Sequence, residues 1–201
     1  GGYLQYCCGA DSSLSYYPQI IRNNTGDTNG GNREFYFETY IPPINVAPKE
    51  DAVFIFRNHA CNRYFMIRLD HFQGSDGCDP NSQSRLMYDK STPGGTGTGG
   101  DCVLGPSTFQ DSAAYYTLQP PVCKSNWWSV RVRVCNNQIQ AKAWPRGTNE
   151  PGWQINSTDG DLSTYTTGSF GFQANNGEIR YDNLQVYNIV NETGIVVSDT
   201  L

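Results

Sequence analysis

Charge is scarce in this chain of 201 residues: Asp, Glu, Lys and Arg together make up 16%, against roughly 25% in ordinary soluble domains. The shortage argues against a cytosolic enzyme surface. The 14 Lys and Arg against 19 Asp and Glu leave a net charge of −5. No basic cluster is available to track a phosphate backbone, so nucleic acid is excluded as a partner. No run of about 18 apolar residues occurs, which excludes a membrane-spanning helix of ordinary length. Histidine is nearly absent, with only His59 and His71, both read as polar surface residues in a loop and at a strand end. With so little histidine, neither a Ser-His-Asp nor a Cys-His arrangement can be nominated. No CxxC pair is present, which excludes the usual zinc frameworks. Helix signals are almost missing.

What the chain has in place of charge is 21 Gly, 13 Tyr and many Asn, Ser and Thr. That composition belongs to a turn-rich extracellular β-structure. The clearest strand text runs from Trp127 to Tyr187. Val130, Val132 and Val134 alternate with Arg131 and Arg133, giving one apolar and one charged face. Asn136-Asn137 supplies a tight turn, and Ile139, Ala141 and Ala143 then alternate with Gln138, Gln140 and Lys142. A hairpin with one wet face predicts antiparallel sheet. Arg33–Ile41, Ala52–Arg57, Arg63–Leu69, Arg85–Tyr88, Tyr115–Leu118, Ser169–Ala174 and Glu178–Tyr187 supply further strands, and a weaker one lies near Ser15–Ile21. Roughly ten to twelve short strands predict an all-β antiparallel sandwich. Residues 1–201 read as one β-sandwich domain, with an N-terminal extension over 1–32 and a C-terminal tail over 188–201. Gln73–Pro106 is a Gly-rich excursion, flexible or functional.

Cysteines and sequons point outside the cell. Cys7, Cys8, Cys61, Cys78, Cys102, Cys123 and Cys135 are expected to form disulfides, each stabilising by roughly 2–4 kcal/mol. Pairing cannot be read from spacing, although Cys78 and Cys102 bracket the Gly-rich loop. An odd number leaves one thiol or an interchain bond, and the Cys7-Cys8 pair is the first place to look for it. Asn23, Asn156 and Asn191 each begin an Asn-x-Ser/Thr sequon, expected on surface loops of a secreted glycoprotein. Gly1-Gly2-Tyr3 reads as a mature terminus left by a removed signal. Ile195-Val196-Val197 is expected either as a last edge strand or as a strand donated to a neighbouring subunit.

Trp-Trp-Ser-Val-Arg-Val-Arg-Val, the strand ending Ala-Trp-Pro-Arg-Gly, then Thr-Gly-Ser-Phe-Gly-Phe-Gln-Ala and Tyr-Asp-Asn-Leu-Gln-Val-Tyr resemble the concanavalin A-like lectin/glucanase superfamily. The similarity is greatest to its laminin-G-like jelly rolls. The resemblance covers 125–187 well and 33–72 loosely. It implies a jelly-roll sandwich and a structural calcium (Ca2+) held by Asp182, with Asp11 as a second candidate ligand. Asp70, Asp76 and Asp79 form another acidic group, without the terminal Glu of an EF-hand. The hydrolases of this superfamily carry Glu-x-Asp-x-x-Glu on one strand, and no such run is present. Glu34 and Glu38 share a strand face but stand about 13 Å apart at strand rise, beyond the roughly 5–9.5 Å of a glycosidase pair.

Three functions stay open. The first expectation is a secreted, non-enzymatic structural or adhesive glycoprotein that self-associates or joins neighbouring extracellular subunits in a filament, sheath or coat. The second is a glycan-binding module using Trp128, Trp144 and Trp153 as platforms. A carbohydrate-active hydrolase or lyase is the third.

Overall fold

The structure is a computed structural model that describes residues 4–7, 19–22, 31–42, 49–60, 63–72, 84–91, 109–123, 125–175, 178–189 and 196–199. Among these residues thirteen strands and one short helix occur. In chain order they are β1 (Leu4–Cys7), β2 (Gln19–Arg22), β3 (Arg33–Tyr40), β4 (Lys49–Ala60), β5 (Arg63–Phe72), β6 (Arg85–Ser91) and β7 (Phe109–Thr117). There follow β8 (Trp127–Cys135), β9 (Gln138–Pro145), β10 (Ile155–Thr158), α1 (Gly160–Thr164), β11 (Ser169–Asn175), β12 (Glu178–Ile189) and β13 (Val196–Asp199). No helix among the described residues is long and apolar enough to cross a membrane.

The expected antiparallel β-sandwich is present. One sheet has the order β1-β12-β3-β8-β9-β10, with β13 also pairing β12; the other runs β2-β11-β4-β5-β6-β7. The Trp127 hairpin forms as its alternation requires, Val134 opposite Ile139 and Val130 opposite Ala143, with Asn136 at φ 53 in the turn. Several strands run longer than the sequence suggests. His59 falls inside β4 rather than a loop, and β7 begins at Phe109. Within the expected N-terminal extension, β1 pairs with β12 and β2 with β11, so this segment adds a strand to each sheet. Of the two readings of the tail, the structure has the edge strand: β13 pairs antiparallel with β12 of its own chain.

The inner faces meet in an aromatic core. Phe35 and Phe37 of β3 lie 4.8 and 5.1 Å, ring to ring, from Phe54 of β4, and Phe172 of β11 stacks on Tyr181 of β12 at 4.4 Å. Around them the valines of β8 and Ile139, Ala141 and Ala143 of β9 are fully buried. Tyr181 ties the sheets together through its hydroxyl, which donates to the Gln173 carbonyl at 2.6 Å and accepts the Val53 N–H at 3.0 Å. Each aromatic side chain withdraws some 150–250 Å² from water, so this layer dominates the stability of the fold.

Candidate functional site

Alternation that puts Phe35, Phe37 and the β8 valines into the core turns Glu34, Tyr36, Glu38 and Tyr40 of β3 outward. Trp127, Ser129, Arg131 and Arg133 of β8 face the same way, as do Gln140, Lys142 and Trp144 of β9. Register assembles them into rows across the outer face of the seven-stranded sheet. The end row joins Arg180 of β12, Tyr40 and Trp127, and Arg146, just past β9, joins it through its N–H bond to the Trp127 carbonyl at 2.9 Å. Tyr40 and Trp127 sit 5.4 Å apart and 38° from parallel. The Arg180 and Arg146 guanidinium groups lie 5.3 and 5.5 Å from the Tyr40 and Trp127 ring centroids. Cation–π contacts of this length hold such half-buried rings in place by about 0.5–1 kcal/mol each.

The next row is polar. Asp182 pairs opposite Glu38, Glu38 opposite Ser129, and Ser129 opposite Trp144. Glu38 is only 5% exposed. It accepts from the Tyr36 hydroxyl at 2.9 Å and from Asn183 Nδ2 at 2.7 Å, and Arg146 Nε approaches it at 3.3 Å. Burial raises the Tyr36 phenol above its usual pKa and Glu38 adds to the effect, against the Ser129 hydrogen bond. The phenol stays a proton donor at neutral pH.

Beyond this row the loop between β9 and β10 folds back over the sheet. Glu150 pairs with Arg131 at 2.9 Å and Lys142 at 2.7 Å. Trp153 lies 4.3 Å from Lys142 Nζ and 5.2 Å from the Arg133 guanidinium. Glu34 receives Arg131 at 2.5 Å and Arg133 at 2.6 Å. Both carboxylates considered from sequence as a catalytic pair are therefore committed to cations or hydrogen-bond donors. The face is built to hold polar groups in fixed positions.

The sequence candidates divide across this geometry. Trp128 is a correction: it is 3% exposed and points into the core, because it shares the parity of Val130, Val132 and Val134. Its neighbour Trp127 is the outward ring. Trp144 does lie on the outer face but is 8% exposed, 6.2 Å from Tyr36. Trp153 belongs to the loop packed on that face. The sequence pattern alone does not single out Tyr40, Arg146 and Arg180; their only signal is parity with Trp127 across the paired strands.

Asp182 stands at an irregularity in β12 where the register shifts before Gln185, and its Oδ1 accepts the Asn183 N–H at 2.8 Å. Among the described residues no group of three His, Cys, Asp or Glu could hold a metal ion, and Asp11 lies outside them. Asp70 is buried in β5 on the opposite sheet, and Asp76 and Asp79 lie outside the described residues. Asn156 is exposed on the edge strand β10, its Oδ1 accepting from Gln138 Nε2 at 2.9 Å; it sits on a strand and not the expected loop. Cys135, half-buried at the end of β8, is not in a disulfide; the expectation placed on Cys7-Cys8 falls on side chains outside the described residues. Cys7 is described in its backbone alone, and Asn23, Asn191, Cys8, Cys61, Cys78 and Cys102 lie outside the described residues.

No protein-family model matches the chain, and no curated protein matches it in sequence. Solved structures do match in fold. One is the carbohydrate-binding module CBM66 from Bacillus subtilis, with a TM-score of 0.52 and 10% identity over 78% of this chain and 74% of that one. The xylan β-1,4-xylosidase from Bacillus halodurans C-125 matches with a TM-score of 0.53 and 11% identity, over 92% of this chain but only 32% of its own. The CBM2 module of the evolved Dit of Lactobacillus casei BL23 phage J-1 matches with a TM-score of 0.51 and 13% identity, over 85% of this chain and 66% of that one. The fold of this chain is thus a β-sandwich of the kind found in carbohydrate-binding modules.

Proposed function

We propose that this chain is a secreted glycan-binding module of the concanavalin A-like jelly-roll type, which engages a saccharide on the outer face of its seven-stranded sheet. The observation that carries the reading is the half-buried Tyr40–Trp127 ring pair, set in one row with Arg146 and Arg180 and beside buried Glu38. A pyranose presents C–H patches to aromatic rings and hydroxyls to donors and acceptors; this row supplies both kinds of contact within a few ångströms. The fold shared with carbohydrate-binding modules supports the same reading. The sequons at Asn23, Asn156 and Asn191, and the set of seven cysteines, support secretion.

A glycan array followed by calorimetry on the best hit tests it. Trp127→Ala should weaken binding about ten-fold or more, equivalent to about 1.4 kcal/mol of lost ring contact, with Tyr40→Ala close behind. Failure of the array to return any saccharide, or unchanged affinity in both variants, overturns the assignment. This mode uses the aromatic row and Glu38 and does not draw on calcium at Asp182. Binding after exhaustive EDTA dialysis is expected to match binding before it. The filament or sheath subunit expected from sequence is the competing reading; native polymers that bind no glycan would favour it.

A further inference from the structure

The seven-stranded sheet ends at β10, which pairs with β9 and stands last in the strand order. Its residues Ile155, Asn156, Ser157 and Thr158 turn one row of N–H and C=O groups away from β9. Such an edge is a template for pairing with another chain. Proteins blunt their edges with charged side chains, proline or a bulge. β10 has none of these: its register runs unbroken from Ile155 opposite Ala141 to Thr158 opposite Gln138. The other sheet finishes on the same flank, where β7 passes near β10 without pairing to it. Tyr115 and Tyr116 of β7 are 60% and 41% exposed there. Unpaired backbone beside exposed rings makes this flank prone to self-association.

Asn156 sits within that edge. Alternation buries Ile155 at 2% exposure and turns Asn156 and Thr158 to the outer face, where both are exposed. Asn156 Oδ1 accepts from Gln138 Nε2 at 2.9 Å and from Gln140 Nε2 at 3.4 Å. An asparagine amide carries its acceptor and its donors on opposite lobes. With the oxygen held towards the two glutamines of β9, the nitrogen is the lobe turned away from them. Asn156-Ser157-Thr158 is also a complete sequon, its threonine exposed on the same face.

We propose that Asn156 carries an N-linked glycan and that this sugar guards the free edge of the seven-stranded sheet. Modification joins Asn156 Nδ2 to the anomeric carbon of an oligosaccharide borne on a polyprenyl diphosphate. The anomeric C–O bond breaks, and the diphosphate leaves with the amide proton. A bulky, hydrated sugar attached to the edge strand keeps a second copy from laying its own strand against β10. The inference rests on the secretion part of the proposed function and not on the aromatic row. Asn156 lies opposite Gln140, and Gln140 opposite Arg133, about 20 Å along β8 from Trp127 at strand rise. The attachment point therefore stands clear of the saccharide row.

The full chain secreted from cultured eukaryotic cells provides the test. Its glycopeptides are read by mass spectrometry before and after peptide-N-glycosidase digestion, and Asn156 is expected to be occupied in most molecules. An unmodified Asn156 in the secreted chain overturns the proposal. Sedimentation velocity then reads the guard. Asn156→Gln should raise the self-associated fraction several-fold. Thr158→Ala, which removes the sequon but keeps the Asn156 side chain, should do the same. Asn156→Lys puts a charge on the edge in place of the sugar and should restore the monomer. If both sugar-free variants stay as monomeric as the wild type, the guarding role is overturned. Trp127→Ala should keep full occupancy at Asn156, and Asn156→Gln should keep saccharide binding, so failure here and failure of the glycan-binding reading are separate results.

Discussion

Trp127 and Trp128 are adjacent, chemically identical and destined for opposite surroundings. Trp128 enters the core between the sheets, and Trp127 joins the outer row. Trp128→Ala is expected to cost about 3–5 kcal/mol by removing a buried ring, whereas Trp127→Ala should change stability by under about 1 kcal/mol. Urea denaturation of the two variants checks the contrast; equal losses would mean the parity has been misjudged. Gly31 is a second residue whose side chain, or lack of one, decides its place. It has φ +67, and a Cβ there would come within 1.4 Å of the Thr166 carbonyl oxygen. Gly31→Ala should therefore destabilise by about 2 kcal/mol or more, since both the φ and the contact oppose it. A denaturation midpoint within error of the wild type would refute the close approach.

At the scale of elements, β12 shows how a strand can serve two ends. On one side it pairs with β1 in its first half and with β13 in its second, and on the other it pairs with β3 through both. The irregularity between Asp182 and Gln185 joins the halves, with Asn183 at φ 53. Asn tolerates this left-handed backbone, and β-branched residues do not. Asn183→Val should cost about 1–3 kcal/mol through strain and also loosen Glu38, which accepts the Asn183 amide. Asn183→Gly should retain most of the stability while showing the same loss at Glu38, visible as weaker glycan binding. Equal stability of the Val and Gly variants would argue against the bulge. Tyr-Asp-Asn-Leu-Gln-Val was legible as a strand from its alternation. The bulge inside it was not, because a register shift is a property of the partner strand as much as of the strand itself.

For the whole molecule, carboxylates couple stability to pH. Asp159 caps α1 and accepts from Asp161 N–H, Tyr88 and Lys90, each at 3.0 Å, linking the end of β10 to β6 of the other sheet. Burial acts most strongly and opposes its charge, but Lys90, the Asp161 amide and Tyr88 outweigh it and hold the carboxyl below its usual range. Glu150 is depressed likewise, against burial, by Lys142 and Arg131. Folded carboxyls of this kind bind protons less readily than unfolded ones. Their stabilisation is present above about pH 4 and is lost as pH falls through their lower folded values. The urea midpoint should therefore drop on acidification below about pH 4, and Asp159→Asn should flatten part of that drop. An identical acid profile in the variant would remove Asp159 from the account.

Residue alternation is enough to specify the antiparallel sandwich, because a period of two with one wet face leaves the backbone few other ways to bury its apolar side. Alternation also requires that Trp127 and Trp128 take opposite sides of one strand, although the sequence reading puts Trp128 outward and the structure puts Trp127 there. It takes the packed sheets to bring Tyr40 to Trp127, to flank them with Arg146 and Arg180, and to fold the loop carrying Trp153 back on the sheet. Those meetings depend on strand order and register, which join residues some 90 positions apart in sequence. The same holds for Arg57. In the sequence it ends an apolar run as an ordinary surface arginine would; a bulge set by two neighbouring strands turns it into the sandwich.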